Sequence, residues 1–144
     1  MKGTKGNLAT YERRIRKLFA KNRIKGLSLI DYGYGAGIWP HAVEEDFQTL
    51  IGIDASTKVM KIAERYLPKA EFIKATVTQL PTHVKYDVVV SVSVSEFIEP
   101  ELYDQYLLEL IRITRSTVIL HFYVESKIFR RKGMALHHVR GPSK

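Results

Sequence analysis

Gly33, Gly35 and Gly37 occupy alternate positions directly after the apolar run Leu27-Ser28-Leu29-Ile30. Glycine weakens strands and helices alike, so three at this spacing mark a place where the backbone must be bare. One glycine allows a tight turn, one lets a ligand touch the main chain, and one lets a following helix pack close to the strand. Asp54, in Gly52-Ile53-Asp54-Ala55-Ser56, follows seventeen residues after the last glycine. An acid at that distance can accept hydrogen bonds from both hydroxyls of a ribose. Asp31 stands two residues before the first glycine. A corner built for a pyrophosphate would not place an anion there, whereas a ligand carrying an ammonium group would welcome it. Taken singly, each feature also has a plain structural reading: a tight glycine turn, or a helix-capping aspartate.

The elements that must position these groups alternate along the chain. After a flexible basic arm over residues 1–9, Thr10 is expected to cap a helix running to about Arg23. Ile15, Leu18, Phe19 and Tyr11 fall on one face of it, and Gly26 ends it. Strands are expected at Leu27–Tyr32, Thr49–Ser56, Glu71–Val77, Tyr86–Val94 and Ser116–Val124. Helices are expected at about Trp39–Asp46, at Thr57–Tyr66 with Val59, Ile62 and Ala63 inward, and from Pro100 to Ile113. The β-branched run in the fourth strand suggests burial on both faces. Alternation of this kind predicts an α/β fold, a doubly wound and mainly parallel sheet of about five strands. Its first βα turn then lies at the switch point where ligands bind.

Asp31-Tyr32-Gly33-Tyr34-Gly35-Ala36-Gly37 resembles motif I of the class I S-adenosylmethionine-dependent methyltransferases, D-x-G-x-G-x-G. Gly52–Ser56 is similar to the family's second motif and Tyr86–Ser91 to its fourth-strand motif. Ser95-Glu96-Phe97-Ile98 falls where many members read Leu-Glu-His-Ile/Val. The resemblance covers about residues 10–124. It implies a Rossmann-like methyltransferase domain with S-adenosylmethionine as cofactor. Asp31 would lie near the amino group of the cofactor, directly or through water, and Gly33, Gly35 and Gly37 along its methionine and ribose. Asp54 would bind the ribose hydroxyls, Ala55 and Ser56 would lie beside the adenine, and Thr76 and Val77 would meet the adenine edge. Ser91 and Val92 would face the methyl-transfer site. Thr76 departs from the frequent Asp, Val92 from the frequent Asn, and Phe97 from the frequent His. The family sheet usually ends in an antiparallel hairpin. Only about twenty residues follow Val124, leaving room for one irregular strand at most and implying a reduced or missing hairpin.

Composition narrows the chemistry. The 144 residues, 45% hydrophobic and 26% charged, suit one soluble domain spanning residues 1–144. No apolar run reaches membrane-spanning length, and no apolar core follows the basic N-terminus as a signal peptide requires, so a cytoplasmic protein is expected. An Arg-rich, acid-poor start also suits an organelle-targeting segment. The absence of cysteine excludes a thiol nucleophile, and with it carbon-5 pyrimidine methylation. Ser91-Val92-Ser93-Val94 does not resemble the Asn/Asp-Pro-Pro-aromatic turn of exocyclic-amine methylation. Glu96 is the candidate general base, against the plainer reading of a solvated residue opening a helix. His121 reads as a satisfied histidine within the sheet.

Charge is unevenly placed. Residues 1–25 carry +8, residues 125–144 carry +5, and the middle carries −5. Arg13, Arg14, Arg16 and Lys17 at one end, with Arg130, Arg131 and Lys132 at the other, form a bipartite basic surface suited to a polyanion. The expected function is methyl transfer to nucleic acid, RNA first. The alternative is a non-catalytic module of the same fold that binds RNA or a protein through its basic ends. A protein partner or a second copy would complete the C-terminal side. A nicotinamide oxidoreductase is disfavoured by Asp31 and by the absence of Gly-x-Gly-x-x-Gly.

Overall fold

The computed structural model describes residues 5–76, 83–124 and 133–140, with side chains described over 8–76 and 83–121. Val77, Arg130, Arg131 and Lys132 lie outside these described residues.

The chain opens with α1 (Lys5–Lys21), then β1 (Ser28–Tyr32), a short α2 (Ile38–Ala42) and a 3-10 turn at Glu44–Asp46. β2 (Thr49–Asp54), α3 (Thr57–Tyr66), β3 (Glu71–Lys74) and β4 (Tyr86–Val92) follow. Two further 3-10 turns, Ser95–Phe97 and Pro100–Leu102, lead to α4 (Tyr103–Arg112), β5 (Thr114–Val124) and β6 (Gly133–Arg140). The sheet order is β3-β2-β1-β4-β5-β6. The first five strands are parallel, as expected, and β6 runs antiparallel to β5.

Both sheet faces are covered, so the strands are apolar without alternation. Ile30, Ile53 and Val89 pack towards Tyr106 and Leu110 of α4. Leu29, Val88 and Val90 pack on the opposite face with Ile15 and Phe19 of α1. At the base of the sheet, Asp87 accepts hydrogen bonds from the backbone N–H groups of Leu27 (2.7 Å) and Ser28 (3.1 Å), and it pairs with Arg115 at 2.7 Å. One carboxylate thus ties the entry of β1 to β4 and β5.

Several boundaries differ from expectation. α1 starts at Lys5, so Thr10 lies inside the helix and residues 5–9 are not an arm. The helix ends at Lys21, and Arg23, at φ 53°, turns the chain before Gly26. The expected Trp39–Asp46 helix is α2 plus a 3-10 turn, because the chain leaves helical geometry at Val43. Ile62 is 43% exposed rather than inward, while Ala63 is buried. β6 is a regular eight-residue strand where an irregular one was expected, and it takes the edge position beside β5.

Candidate functional site

The strand order reverses between β1 and β4, and the loops leaving these two strands part there to open a crevice. In the β1 loop Gly33, Gly35 and Gly37 all have positive φ, at 73°, 54° and 76°. At Gly33 the need is double. A Cβ there would also collide with the Val94 side chain of the β4 loop. Gly35 faces open space, so its left-handed backbone alone calls for glycine. Gly37 caps α2 and lies close to α3, with its virtual Cβ 3.6 Å from that of Ala63.

Asp54 fastens the loop to the end of β2. One carboxylate oxygen accepts the Gly35 N–H at 3.2 Å, and the other accepts the Ser56 N–H at 2.9 Å. The Gly33 N–H donates to the Ile53 carbonyl at 2.6 Å. Gly52 belongs to the same construction: a side chain there would strike the rings of Tyr34 and Phe72. Tyr34 is thus packed against β2 and beside Phe72, buried. Its hydroxyl has no hydrogen-bond partner among the described residues.

These pieces enclose a cavity of about 880 Å3. Gly33, Gly35, Asp54, Ala55 and Thr76 line it, as do Ser56 and Val92. The remaining sequence candidates lie elsewhere. Asp31 is buried behind the loop, 2% exposed, and its carboxyl is pushed up to about 8 by burial and by the nearby Asp54 charge. Gly37 is buried at the helix junction. Ser91 is 1% exposed and hydrogen-bonded to the Tyr106 hydroxyl (2.7 Å) and to the Tyr32 carbonyl (3.2 Å), a tether between α4 and the sheet.

Glu96 is exposed and off the cavity wall, because the Ser95–Phe97 turn carries it outward. The chain extends again at Ile98, and of the acids in this loop Glu99, not Glu96, is among the residues lining the cavity. Val94, Phe97, Ile98 and Leu102 form an apolar rim there, with Phe97 80% exposed. Within the motif-like stretch nothing in the sequence marked Glu99 over Glu96, since the phase of an irregular turn has no period to read.

An acid at the end of β2, a glycine loop and an open crevice at the switch point define a domain of the doubly wound α/β class with its crevice where such folds bind ligands. The sequence then fixes the family: a profile described as a methyltransferase domain matches residues 29–117, more than half the chain. The chain belongs to this family, whose resemblance to the class I S-adenosylmethionine-dependent enzymes runs through the same residues. No curated protein sequence matches the chain.

Solved structures share the fold. An S-adenosylmethionine-dependent methyltransferase from Clostridium acetobutylicum superimposes with a TM-score of 0.69 at 14% identity, covering 81% of this chain and 50% of its own. Magnesium protoporphyrin IX methyltransferase from Synechocystis, with bound S-adenosylmethionine, gives 0.68 at 22% identity over 83% and 60% of the two chains. An amino pentose methyltransferase from Micromonospora echinaspora gives 0.64 at 17% identity over 80% and 49%. This chain thus spans about half the length of the solved structures it matches.

The residues fit the family's cofactor, S-adenosylmethionine. The cavity has the volume of an ordinary ligand site. Asp54 stands on its wall with lone pairs to spare beyond the two backbone bonds. The backbone at Gly35 is open, and small residues, Ala55, Ser56 and Ala75, leave room for a flat base. Among the described residues no group of His, Cys, Asp and Glu could hold a metal ion, and no helix is long and apolar enough to cross a membrane.

Proposed function

We propose that this chain is a methyl-transfer domain that binds S-adenosylmethionine in the crevice between the β1 and β4 loops and methylates an anionic acceptor, with nucleic acid the first choice. The observation that carries the cofactor half is the left-handed glycine loop held by the Asp54 carboxylate over a ligand-sized cavity.

Bound there, the cofactor supplies an activated methyl group on a sulfonium. The chain has to position and enclose. Asp54 would take the ribose hydroxyls, and the bare backbone at Gly33 and Gly35 would let the ligand approach where a side chain would collide. Asp31, buried behind the loop, would act on a ligand's ammonium group across the loop or through water and not by direct contact. The apolar rim, Val94, Phe97 and Leu102, would exclude water from the reacting atoms. Glu99, on the wall, is better placed than Glu96 to accept a proton from an acceptor.

Support for an anionic acceptor comes from charge. The chain carries a net +8, and Arg13, Arg14, Arg16 and Lys17 are all exposed on α1. The relatives named above act on a porphyrin and on an amino pentose, so the fold leaves the acceptor open.

The test is calorimetric titration with S-adenosylmethionine, with Asp54→Ala as control, followed by transfer of labelled methyl to structured RNA. Binding lost in the variant, with label in RNA, is the expected result. Binding without transfer to any acceptor would favour the non-catalytic module of the same fold. No binding at millimolar ligand would overturn the cofactor reading.

A further inference from the structure

A second cavity, of about 260 Å3, opens between α1 and the C-terminal ends of β4 and β5. Val92 lines both cavities, so the two meet at this one side chain. His121, paired in register with Val92, forms the polar part of the floor; it is 8% exposed. Its Nδ1 lies 3.2 Å from the hydroxyl of Ser93, and Ser93 lines the first cavity. Among the described residues, Val92 and the hydrogen-bonded Ser93–His121 pair link the two spaces. Ser93 holds a left-handed backbone at φ 56°, a conformation that serine rarely adopts and that places it at this link.

The walls of the second cavity have two characters. Tyr11, Leu18 and Trp39 are flat or apolar. The indole of Trp39 donates to the Tyr11 hydroxyl at 3.2 Å, and the rings meet edge to face at 6.4 Å, so the aromatic wall is held in place. Arg14, Lys17 and Lys21 supply three cations, and among the described residues no carboxylate lines the cavity. Glu12, the acid of this part of α1, is engaged by His41 at 2.9 Å and Arg16 at 3.6 Å.

The geometry points to this cavity as the seat of the methyl acceptor, a planar ring bearing an anionic group, reached from the cofactor side past Val92. The inference rests on the methyl-transfer reading above and adds the chemistry of its acceptor. The volume takes one ring with a substituent and not a second whole cofactor. The aromatic and aliphatic walls suit a ring face, and the three cations suit a phosphate or carboxylate on it. A free small molecule and a nucleotide within RNA both present this chemistry.

Trp39 is the chain's sole tryptophan, so its fluorescence reports on this cavity. The first cavity is filled with saturating S-adenosylhomocysteine, whose own binding is measured separately by calorimetry. Guanosine 5′-monophosphate and a short single-stranded RNA are then titrated in parallel. The expected result is a saturable change in Trp39 emission. Lys17→Glu and Arg14→Glu should each weaken the probe by about tenfold while leaving S-adenosylhomocysteine affinity and the far-ultraviolet circular dichroism unchanged. Tighter response to the monophosphate supports a free small acceptor, and tighter response to RNA a nucleotide in a polymer.

Intact S-adenosylhomocysteine binding with no emission change from either probe would overturn the inference and leave the methyl-transfer reading standing. RNA binding indifferent to both charge reversals would overturn it as well. Failure to bind S-adenosylhomocysteine would instead remove the reading beneath it.

Discussion

Burial behind the glycine loop and the nearby Asp54 carboxylate hold the Asp31 carboxyl at about 8, far above the ordinary 3.8. The unfolded chain ionises this group while the fold keeps it protonated, so Asp31 withdraws stability from the empty protein as pH rises from about 4 to about 8. Asp31→Asn should flatten that decline in thermal melts across the same range. A ligand's ammonium group held in front of the loop favours the Asp31 carboxylate across it, so binding should expel a proton below pH 8 and tighten as pH rises towards it. Titration in two buffers of different ionisation heat measures that proton, and Asp31→Asn should abolish its release. Gly33 makes a different demand. Gly33→Ala combines a left-handed alanine with a collision against Val94 and should cost about 2 kcal/mol or more, read as a lowered midpoint in urea. Gly35→Ala meets no atom within 4 Å and should cost only its backbone strain, about 1–2 kcal/mol. The glycines and Asp54 could be read from the chain because their chemistry depends on residue type and spacing. Glu99 and the Ser93–His121 pair could not, since both depend on the path of an irregular loop.

At the scale of elements, Asp87 is the main polar tie at the base of the sheet. The Leu27 and Ser28 N–H groups and the Arg115 guanidinium lower its pKa against the opposing effect of burial. A depressed carboxylate contributes its stability above the unfolded pKa and loses it as pH falls through the folded one, so this tie should weaken only below about pH 4. Asp87→Ala should cost about 2 kcal/mol at neutral pH, since it strands two backbone donors, and should blunt acid unfolding; denaturant melts at pH 7 and pH 3 check both. The strands were legible from their continuous apolar runs, since burial on both faces leaves no alternation to break. Their neighbours were less so. α1 extends back to Lys5 in spite of Gly6 and Asn7, both weak helix formers, with Tyr11, Ile15 and Phe19 anchoring the turns that follow. β6 reads Gly-Met-Ala-Leu-His-His-Val-Arg, with a single β-branched residue. Pairing with β5, not intrinsic preference, makes it a strand.

Across the whole molecule, charge and cavity lie on the same side of α1: Arg14 and Lys17, drawn from the basic N-terminal region, also line the second cavity. If the acceptor is a polyanion, its affinity should fall steeply and linearly on a log–log plot against salt. Each phosphate contact removed by an α1 substitution should reduce the slope by about one; filter binding from low to high salt measures it.

The family match begins at Leu29, after α1 has ended. The crevice that fits the cofactor is built from residues within the matched segment, whereas Tyr11, Arg14, Ile15, Lys17, Leu18 and Lys21, six of the nine described residues around the second cavity, precede it. The domain is thereby modular. Its first helix keeps Ile15 and Phe19 in the core, so on the proposed reading a graft limited to the outward positions of that helix, Arg14, Lys17 and Lys21, should redirect what the protein accepts while leaving its fuel supply untouched.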